Sequence, residues 1–464
     1  MAKENKKIED EKAVVDNTLN VEETVKYIKK FQSVSDKDIE LLNKYYDVRK
    51  HDVFDTNVRE DRKQKSISYK NGELVEKNEK PFKVNRAGIP IPNKVVKMAV
   101  SFAAGNPVNV EYEGGTEEQI KAIKKVLHDN KELSFNRQMC RALFAFREVA
   151  EIWYLDPEDN KIRGHLVSPM FGDKLYPVID RKNKMLGFGF SNTYVNDEEK
   201  EVEELTYYTK EKIDVFERIG DKWAHKENKI NVYGKIPVVY TNQGLADYEE
   251  VISSIERKER AVSNLGDSVD DTAYPDKVFI GKPLGSIHVP GEGSRYMVDA
   301  GGDVKVVESQ QATSLIELDL KTHDSIISTS TDTPDLSLDN LKGLGQGLSG
   351  EVLKRMLTGA ILKVQDKREY LDTHYQRRFN LLNVMVCYGK NWNPDSLSIS
   401  CEVVPYIPQD EDAELDRLRK MIGLMPMKYI VRQFKERVDS SINEEEILGW
   451  LKDESVDDIA KSYI

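Results

Sequence analysis

One glycine motif in the sequence has the spacing of a nucleotide-binding loop. Residues 345–350 read Gly-Gln-Gly-Leu-Ser-Gly, which matches the G-x-G-x-x-G pattern. In dinucleotide-binding proteins that pattern follows a buried strand and opens the helix of a βαβ unit. Here Pro334 and a polar segment precede it, and no alternating βα pattern surrounds it. The context favours a mobile glycine-rich loop, and a nucleotide-binding enzyme that uses Gly345, Gly347 and Gly350 remains an alternative.

The remaining reactive residue types do not have the spacing of a catalytic or metal site. The sequence contains no Walker A pattern, no H-E-x-x-H and no G-x-S-x-G elbow. The seven histidines are scattered, and the acidic residues at 410–416 are typical of a helix N-terminus. Cys140, Cys387 and Cys401 form no C-x-x-C pair, which is typical of reduced thiols. We therefore predict no catalytic residue, no metal site and no cofactor.

The length and net charge of the chain limit the classes of protein to which it can belong. The 464 residues suffice for about two to four domains. The chain has 69 basic and 81 acidic residues, a net charge of −12, which argues against a surface coated by nucleic acid. An acidic surface still allows DNA to slide past. The N-terminus has no apolar signal segment, and no apolar run reaches the ~18 residues of a membrane span, so we expect an intracellular protein and no membrane partner.

The first third of the sequence is predicted to be mainly helical. Residues 1–84 are polar, with one helix capped by Asn17 or Thr18 and a second helix from Ser35 to Tyr46, followed by a flexible loop. Three more helices are predicted between residues 85 and 146. We expect Asn93 to cap the first of these three.

The rest of the sequence alternates between strand and helix patterns. From Glu151 to Tyr240 the apolar residues alternate, which predicts an antiparallel meander. Two helices at 247–271 and 313–330 then flank a small β-unit, and the first carries a net charge of −5. After the glycine-rich loop, a long helix begins at Ser349, with a natural bend point at Thr358-Gly359. The sequence therefore predicts an α+β fold.

Three segments, in this order, resemble the portal protein of tailed double-stranded DNA bacteriophages, in the family typical of long-tailed phages. Asn93 to Val108 resembles the family's early helix, which ends in a Gly-x-Pro step. Gly234 to Gly244, running into Asp247, resembles its passage from wing strand to stem helix. Gly347 to Lys354 resembles the start of its kinked helix after the tunnel loop. The resemblance covers about residues 85–455.

The resemblance implies a portal-like multi-domain fold with a β-rich wing, a two-helix stem, a small α/β clip, a long kinked helix and a helical crown. The implied parts are an N-terminal polar and helical region (1–84), the wing (85–246), a stem helix (247–271), the clip (272–312), a stem helix (313–330), the tunnel loop (331–348), the kinked helix with a wing strand (349–409) and the crown (410–464).

The resemblance also implies the function and the partners. The family forms a ring, expected to be a dodecamer, at one capsid vertex, in the virion and in the host cytoplasm during assembly. A terminase large subunit drives DNA through the ring, and head-completion or adaptor proteins dock later for head–tail attachment and DNA ejection. Major capsid and scaffold proteins are further expected partners, and double-stranded DNA passes without sequence-specific binding. Another oligomeric virion head protein is the second alternative.

Two sets of site residues follow. The tunnel loop is expected to face DNA, although it departs from the family pattern because Lys342 is its only basic residue. The clip is expected to dock the terminase and the adaptor. The DNA-facing set is Asn340, Lys342, Gly343, Gly345, Gln346 and Gly347, and the docking set is Lys277, Lys282, His288, Arg295 and Lys305.

Overall fold

The fold is α+β and is taken from a computed structural model. The structure describes residues 20–70, 73–196, 199–273, 276–280, 283–289, 293–307, 313–334, 355–406 and 417–437. The described helices are α1 (Val21–Lys29), α2 (Asp36–Tyr46), α3 (Ile91–Ala103), α4 (Glu117–Asp129), α5 (Glu132–Phe146), α6 (Ile252–Ala273), α7 (Thr313–Ser330), α8 (Thr358–Lys390) and α9 (Met427–Arg437).

All strand pairs described are antiparallel, and the predicted meander is the largest sheet. The strands are β1 (Arg62–Lys70), β2 (Glu73–Phe82), β3 (Asn109–Gly114), β4 (Glu148–Leu155), β5 (Ile162–Val167), β6 (Lys174–Ile179), β7 (Met185–Val195), β8 (Glu201–Tyr208), β9 (Lys212–Ile219), β10 (Lys222–Ile230), β11 (Val238–Asn242), β12 (Asp276–Ile280), β13 (Pro283–Val289), β14 (Gly293–Val298), β15 (Asp303–Val307) and β16 (Leu397–Glu402). Strands β6 to β10 form the meander in the order β10-β9-β8-β7-β6, and a second sheet has the order β11-β4-β5. The remaining pairs are β1–β2, β3–β16, β12–β15 and β13–β14.

The main core lies between α3, α5 and α8. Helix α8 has 33 residues, and Val364, Leu371, Tyr375 and Phe379 recur along it at helical spacing, which gives it one continuous buried face. This face packs on apolar residues of α3 and α5 that are themselves buried. The helix begins at Thr358, so the bend expected at Thr358-Gly359 coincides with the start of a continuous helix.

A smaller core joins α1 to the meander. Val25 and Ile28 of α1 are buried against Tyr176, Leu205 and other apolar residues of the sheet. The approach requires a glycine at position 189, because an added Cβ there would lie 2.8 Å from Ile28 Cγ2.

The structure corrects two predictions of helix caps in the first 100 residues. Asn20, not Asn17 or Thr18, caps α1. Helix α3 begins at Ile91 with Pro92 in its first turn, where a missing N–H costs no hydrogen bond. Asn93 is therefore inside the helix, and its Nδ2 donates to the Tyr46 carbonyl 3.0 Å away.

The predicted flexible loop after α2 is also wrong, because residues 62–82 contain the β1–β2 hairpin. The sequence Asn71-Gly72 separates the two strands, and this dipeptide is a strong signal for a two-residue hairpin turn.

The two helices α6 and α7 flank a strand-rich unit, as the sequence predicts. Helix α7 has the predicted bounds of 313–330, and α6 begins at Ile252 after a short 3-10 turn. The unit between them was expected to be α/β. The described residues from 276 to 307 form only the pairs β12–β15 and β13–β14. In the tail, the described residues include α9, and Leu418 is buried.

Candidate functional site

The α6–α7 pair is the part of the described chain that matches the predicted stem. The two helices run antiparallel and are joined by ion pairs on their facing sides. Arg257 Nη2 lies 3.2 Å from Asp319 Oδ2, and Lys258 pairs with Asp324. Arg257 and Asp324 are more than half exposed, so water screens both pairs, and each contributes about 0–1 kcal/mol to stability.

One flank of α7 carries exposed apolar side chains. Leu315 and Leu318 are 67% and 62% exposed, and Ile326 is 41% exposed on the same side of the helix. Exposed leucines at adjacent helical positions are typical of a contact surface for another protein chain.

The helix pair is also acidic. Residues 247–273 and 313–330 together contain four basic and eleven acidic residues, a net charge of −7. Glu250, Asp270, Glu317 and Asp324 are exposed. A surface of this kind repels phosphate and therefore does not hold DNA by releasing counterions.

Helix α8 binds the start of α6 and the end of α7, which are the two ends of the helix pair that lie near the main core. Lys367 Nζ lies 2.6 Å from Asp247 Oδ1, just before α6, and 3.0 Å from Gln243 Oε1. Lys363 Nζ lies 3.0 Å from Asp247 Oδ2 and donates to the Thr331 carbonyl, just after α7, at 2.9 Å. Burial lowers the pKa of Lys367, although Asp247 acts to raise it. Two lysines one helical turn apart thus bind the start of α6 and the end of α7.

Residues before α3 fix another face of α6. His51 Nδ1 lies 2.6 Å from the buried carboxylate of Glu259, which also accepts the Ile89 N–H. Burial acts to lower the pKa of His51, but the Glu259 carboxylate and the Tyr45 carbonyl outweigh it and raise this pKa. Farther along α6, Arg59 Nη2 lies 2.6 Å from Asp267 Oδ2.

A buried polar network joins α8 to the sheets. Arg378 and His374 both bind the Glu151 carboxylate, with Arg378 Nε 2.8 Å and His374 Nε2 2.7 Å from its two oxygens. Burial acts to raise the pKa of Glu151, but Arg378 and His374 outweigh it and lower the pKa to about 2. Thr241 Oγ1 lies 2.6 Å from His374 Nδ1, which completes a Thr–His–Glu relay like those of nucleophilic catalysis. All of these side chains are buried, so no substrate reaches the hydroxyl, and the network is structural.

The structure places only some of the predicted site residues. All six DNA-facing residues, Asn340, Lys342, Gly343, Gly345, Gln346 and Gly347, and also Gly350 and Lys282, lie outside the described residues. Lys277, His288 and Arg295 lie on β12, β13 and β14, and Lys305 is exposed on β15. The β12–β15 register pairs Lys277 with Val306 and Val278 with Lys305, so these two lysines occupy neighbouring ladder positions.

The sequence analysis missed Lys363, Lys367 and Asp247. The only signal was the pair of lysines four residues apart on a helix that is otherwise apolar on one face. Within the described chain, no three His, Cys, Asp or Glu side chains are grouped as metal ligands would be. Nor is any described helix both long and apolar enough to cross a membrane.

Comparison with known proteins identifies the class. The family model described as "Phage portal protein, SPP1 Gp6-like" matches residues 26–458. The chain therefore belongs to the SPP1 Gp6-like family of phage portal proteins. No curated protein matches it.

The fold is similar to that of chains in three gene transfer agent structures. These are the neck of the empty particle computed with C6 symmetry (11% identity, TM-score 0.42, 73% of this chain and 87% of that chain), the neck of the native particle computed with C12 symmetry (11%, 0.42, 75% and 89%) and the virion of the native particle (10%, 0.41, 73% and 86%). Family membership rests on the match over residues 26–458.

Family membership confirms the predicted resemblance and the predicted α+β portal-like fold. The protein is a structural component of a phage-type virion and forms a portal ring at a capsid vertex.

Proposed function

We propose that the α6–α7 pair of each copy forms the wall of the channel through which double-stranded DNA passes. The observation that carries this proposal is the combination of an acidic surface and an exposed apolar face on one helix pair. A closed ring needs two different surfaces on each copy that fit each other, and exposed leucines on α7 supply one of them. We expect a ring of twelve copies.

The acidic wall explains how DNA moves without sticking. Each phosphate contact made by a lysine or arginine releases counterions and strengthens binding. The net charge of −7 on each helix pair is multiplied around the ring, so the wall repels the DNA backbone on every side. Passage in both directions, for packaging and for ejection, requires this absence of binding.

We further propose that the unit between α6 and α7 docks the terminase large subunit first and a head-completion or adaptor protein later. Lys305 is exposed on β15, and Lys277 lies at a neighbouring position of the same ladder. Lys282, His288 and Arg295 belong to the same unit in sequence. The body around α8 then faces the major capsid and scaffold proteins, during assembly in the host cytoplasm and afterwards in the virion. The protein itself has no enzymatic role.

Deletion of residues 276–310, with a short linker between α6 and α7, tests this assignment. Because the body is held together by α3, α5 and α8, we expect it to stay folded while binding to purified terminase is lost. Packaging at the wild-type rate by this variant would refute the docking role.

Residues 331–348 are proposed to form the loop that faces DNA, with Asn340, Lys342 and Gln346 as the groups nearest the phosphates. Replacing Gly343, Gly345 and Gly347 with alanine restricts the backbone angles available to the loop. We expect normal ring assembly and impaired packaging or retention of DNA, with no dependence on DNA sequence. If this triple variant packages DNA normally, residues 331–348 do not form the DNA-facing loop, and the glycine motif has no role in DNA passage.

A further inference from the structure

The β1–β2 hairpin is a basic segment of an acidic protein. Its sequence from Arg62 to Phe82 contains six lysine or arginine residues and three glutamates, a net charge of +3, whereas the whole chain has −12. Neither the core nor the channel wall accounts for this segment.

Both ends of the hairpin are fixed to α6. On the entering side, Arg59 donates from Nη1 to Asn264 Oδ1 at 2.8 Å and from Nη2 to Asp267 Oδ2 at 2.6 Å. On the leaving side, the Asn85 N–H donates to Asp267 Oδ1 at 2.7 Å, and Asn85 Nδ2 donates to Asp270 Oδ2 at 2.6 Å.

The two ends are also bound to each other. Arg86 Nη2 lies 2.9 Å from Asp61 Oδ1 and donates to the Arg59 carbonyl at 2.7 Å. Asp267 is buried and accepts from both sides of the hairpin, so it acts as a common anchor. These bonds fix both ends of the hairpin to α6, and we call residues 59–61 and 85–86 the hairpin base.

This base lies on the side of α6 opposite to α7. Glu259, Ser263 and Asp267 recur at intervals of four residues and bind the segments on either side of the hairpin. Arg257 and Lys258, which bind α7, point away from that row on a helix of 3.6 residues per turn. On α7, Leu318 lies opposite to the buried Ile327, so the order across the pair is hairpin base, α6, α7 and then Leu318.

The hairpin base and the exposed leucines also lie at the same level along the pair. The helices are antiparallel, and Arg257 of α6 pairs with Asp319 of α7. The two ion pairs place residues 257–258 of α6 beside residues 319–324 of α7, so Asn264, about six residues farther along α6, lies beside the first turns of α7. Leu315, Glu317 and Leu318 are exposed there.

We propose that the β1–β2 hairpin of each copy lies against α7 of the next copy in the ring. The proposal rests on the ring proposed above and specifies how neighbours are joined. The opposite flanks of one helix pair supply the two different surfaces that a closed heterologous ring requires. The net charge of +3 on the hairpin complements the net charge of −7 on the helix pair, where Glu317 is exposed beside Leu318.

Charge reversal on both sides of the contact tests the proposal in the full-length chain. The hairpin variant is K77E/K80E, the α7 variant is E317K, and the third variant combines them. The matched control is K121E/K125E, which makes the same change in net charge on exposed lysines of α4. Native mass spectrometry over a range of protein concentrations measures the fraction of chains in rings.

We expect the hairpin variant to need about tenfold more protein than wild type for half-assembly, since like charges then face each other across each contact. The combined variant should recover a large part of this loss, and the control should assemble as wild type does. A second variant, in which a short Gly-Ser linker replaces residues 62–82 while Arg59, Asn85 and Arg86 are kept, should stay folded by circular dichroism and fail to form rings.

The outcomes separate the two proposals. Wild-type protein that forms no rings would refute the proposed ring itself. Wild-type rings together with unchanged assembly of both hairpin variants would overturn the hairpin contact alone. Unchanged assembly with weaker, salt-dependent DNA binding by K77E/K80E would assign the hairpin to DNA and would also overturn the contact.

Discussion

The body around Glu151 and the α6–α7 pair differ in where their polar groups and apolar groups lie. In the body, Glu151, His374 and Arg378 are buried and bind one another, and apolar residues of α3, α5 and α8 surround them. In the helix pair, the ion pairs are partly exposed and the leucines of α7 face water. The difference supports our proposal that neighbouring copies cover the helix pair, whereas the body buries its own apolar and charged groups.

The two regions are joined at Asp247. Lys367 and Lys363 of α8 hold this carboxylate, and Lys363 also holds the residue that follows α7. Movement of α8 would therefore be transmitted to the start of α6 and the end of α7 together. This connection makes the comparison testable, because changes in each region should affect different quantities.

The largest expected effect is that of Arg378→Ala. The substitution leaves the buried Glu151 carboxylate without its main cationic partner, which typically costs about 3–5 kcal/mol. The free energy of unfolding of the monomer, measured by chemical denaturation, should fall by this amount. Arg368→Ala on the same helix is the control, because its partners Asp372 and Glu402 are partly exposed, and it should cost less than about 1 kcal/mol. Equal losses for the two variants would contradict the buried role.

Lys367→Met should have the next largest effect. The methionine keeps the packing against Phe144, but it leaves the buried Asp247 carboxylate with Lys363 and the Gln243 amide as its partners among the described residues. We expect a loss of about 2–4 kcal/mol and faster hydrogen exchange at the start of α6. A loss of stability without any change in exchange at α6 would show that Lys367 does not join the two regions.

Glu148→Gln tests whether the buried Glu148 carboxyl group makes the stability of the body depend on pH. Burial raises the pKa of Glu148 to about 7, while the Tyr240, Ser33 and Asn242 side chains and Arg147 act to lower it. The folded state therefore holds a proton that an unfolded glutamate, with a pKa near 4.5, releases earlier. The contribution of Glu148 to stability is greatest below pH 4.5, falls as pH rises to about 7 and stays low above it, a change of about 3 kcal/mol.

Between pH 6 and 8 the Glu148→Gln variant should show less pH dependence than wild type, and it should exceed wild type in stability at pH 8. Below pH 6, Asp173, whose pKa burial raises to about 6, adds its own fall in stability in both proteins. Glu151 does not interfere, because its pKa of about 2 affects stability only as pH falls below 4.5. Thermal unfolding at several pH values measures the difference. A wild-type stability that does not fall between pH 5 and 7 would contradict the buried position of Glu148.

The smallest effect on the monomer is expected for the double substitution Leu315→Ser and Leu318→Ser. Both side chains are exposed in a single copy, so the free energy of unfolding should change by less than about 0.5 kcal/mol. Ring assembly, measured by the mass of the purified protein, should nevertheless be lost. A variant that forms rings normally would show that this face of α7 is not a contact between copies.

Sequence periodicity was sufficient to predict the meander, α6, α7 and the buried face of α8, because each of these elements has a regular apolar pattern. The β1–β2 hairpin has polar strands without an alternating apolar pattern, so Asn71-Gly72 is its main sequence signal. The role of Lys367 was not predictable, since its partner Asp247 is 120 positions away in the sequence. Asn93 has the right type for a cap, but Pro92 displaces the helix start.

A three-dimensional reconstruction of the purified full-length assembly by electron cryomicroscopy tests the central claim most directly. We expect a closed ring in which α6 and α7 of every copy surround the central channel, with residues 276–307 at one end of the channel. The proposal that α6 and α7 line the channel would be wrong if the protein is a monomer, an open chain of copies, or a ring with α6 and α7 on its outer rim.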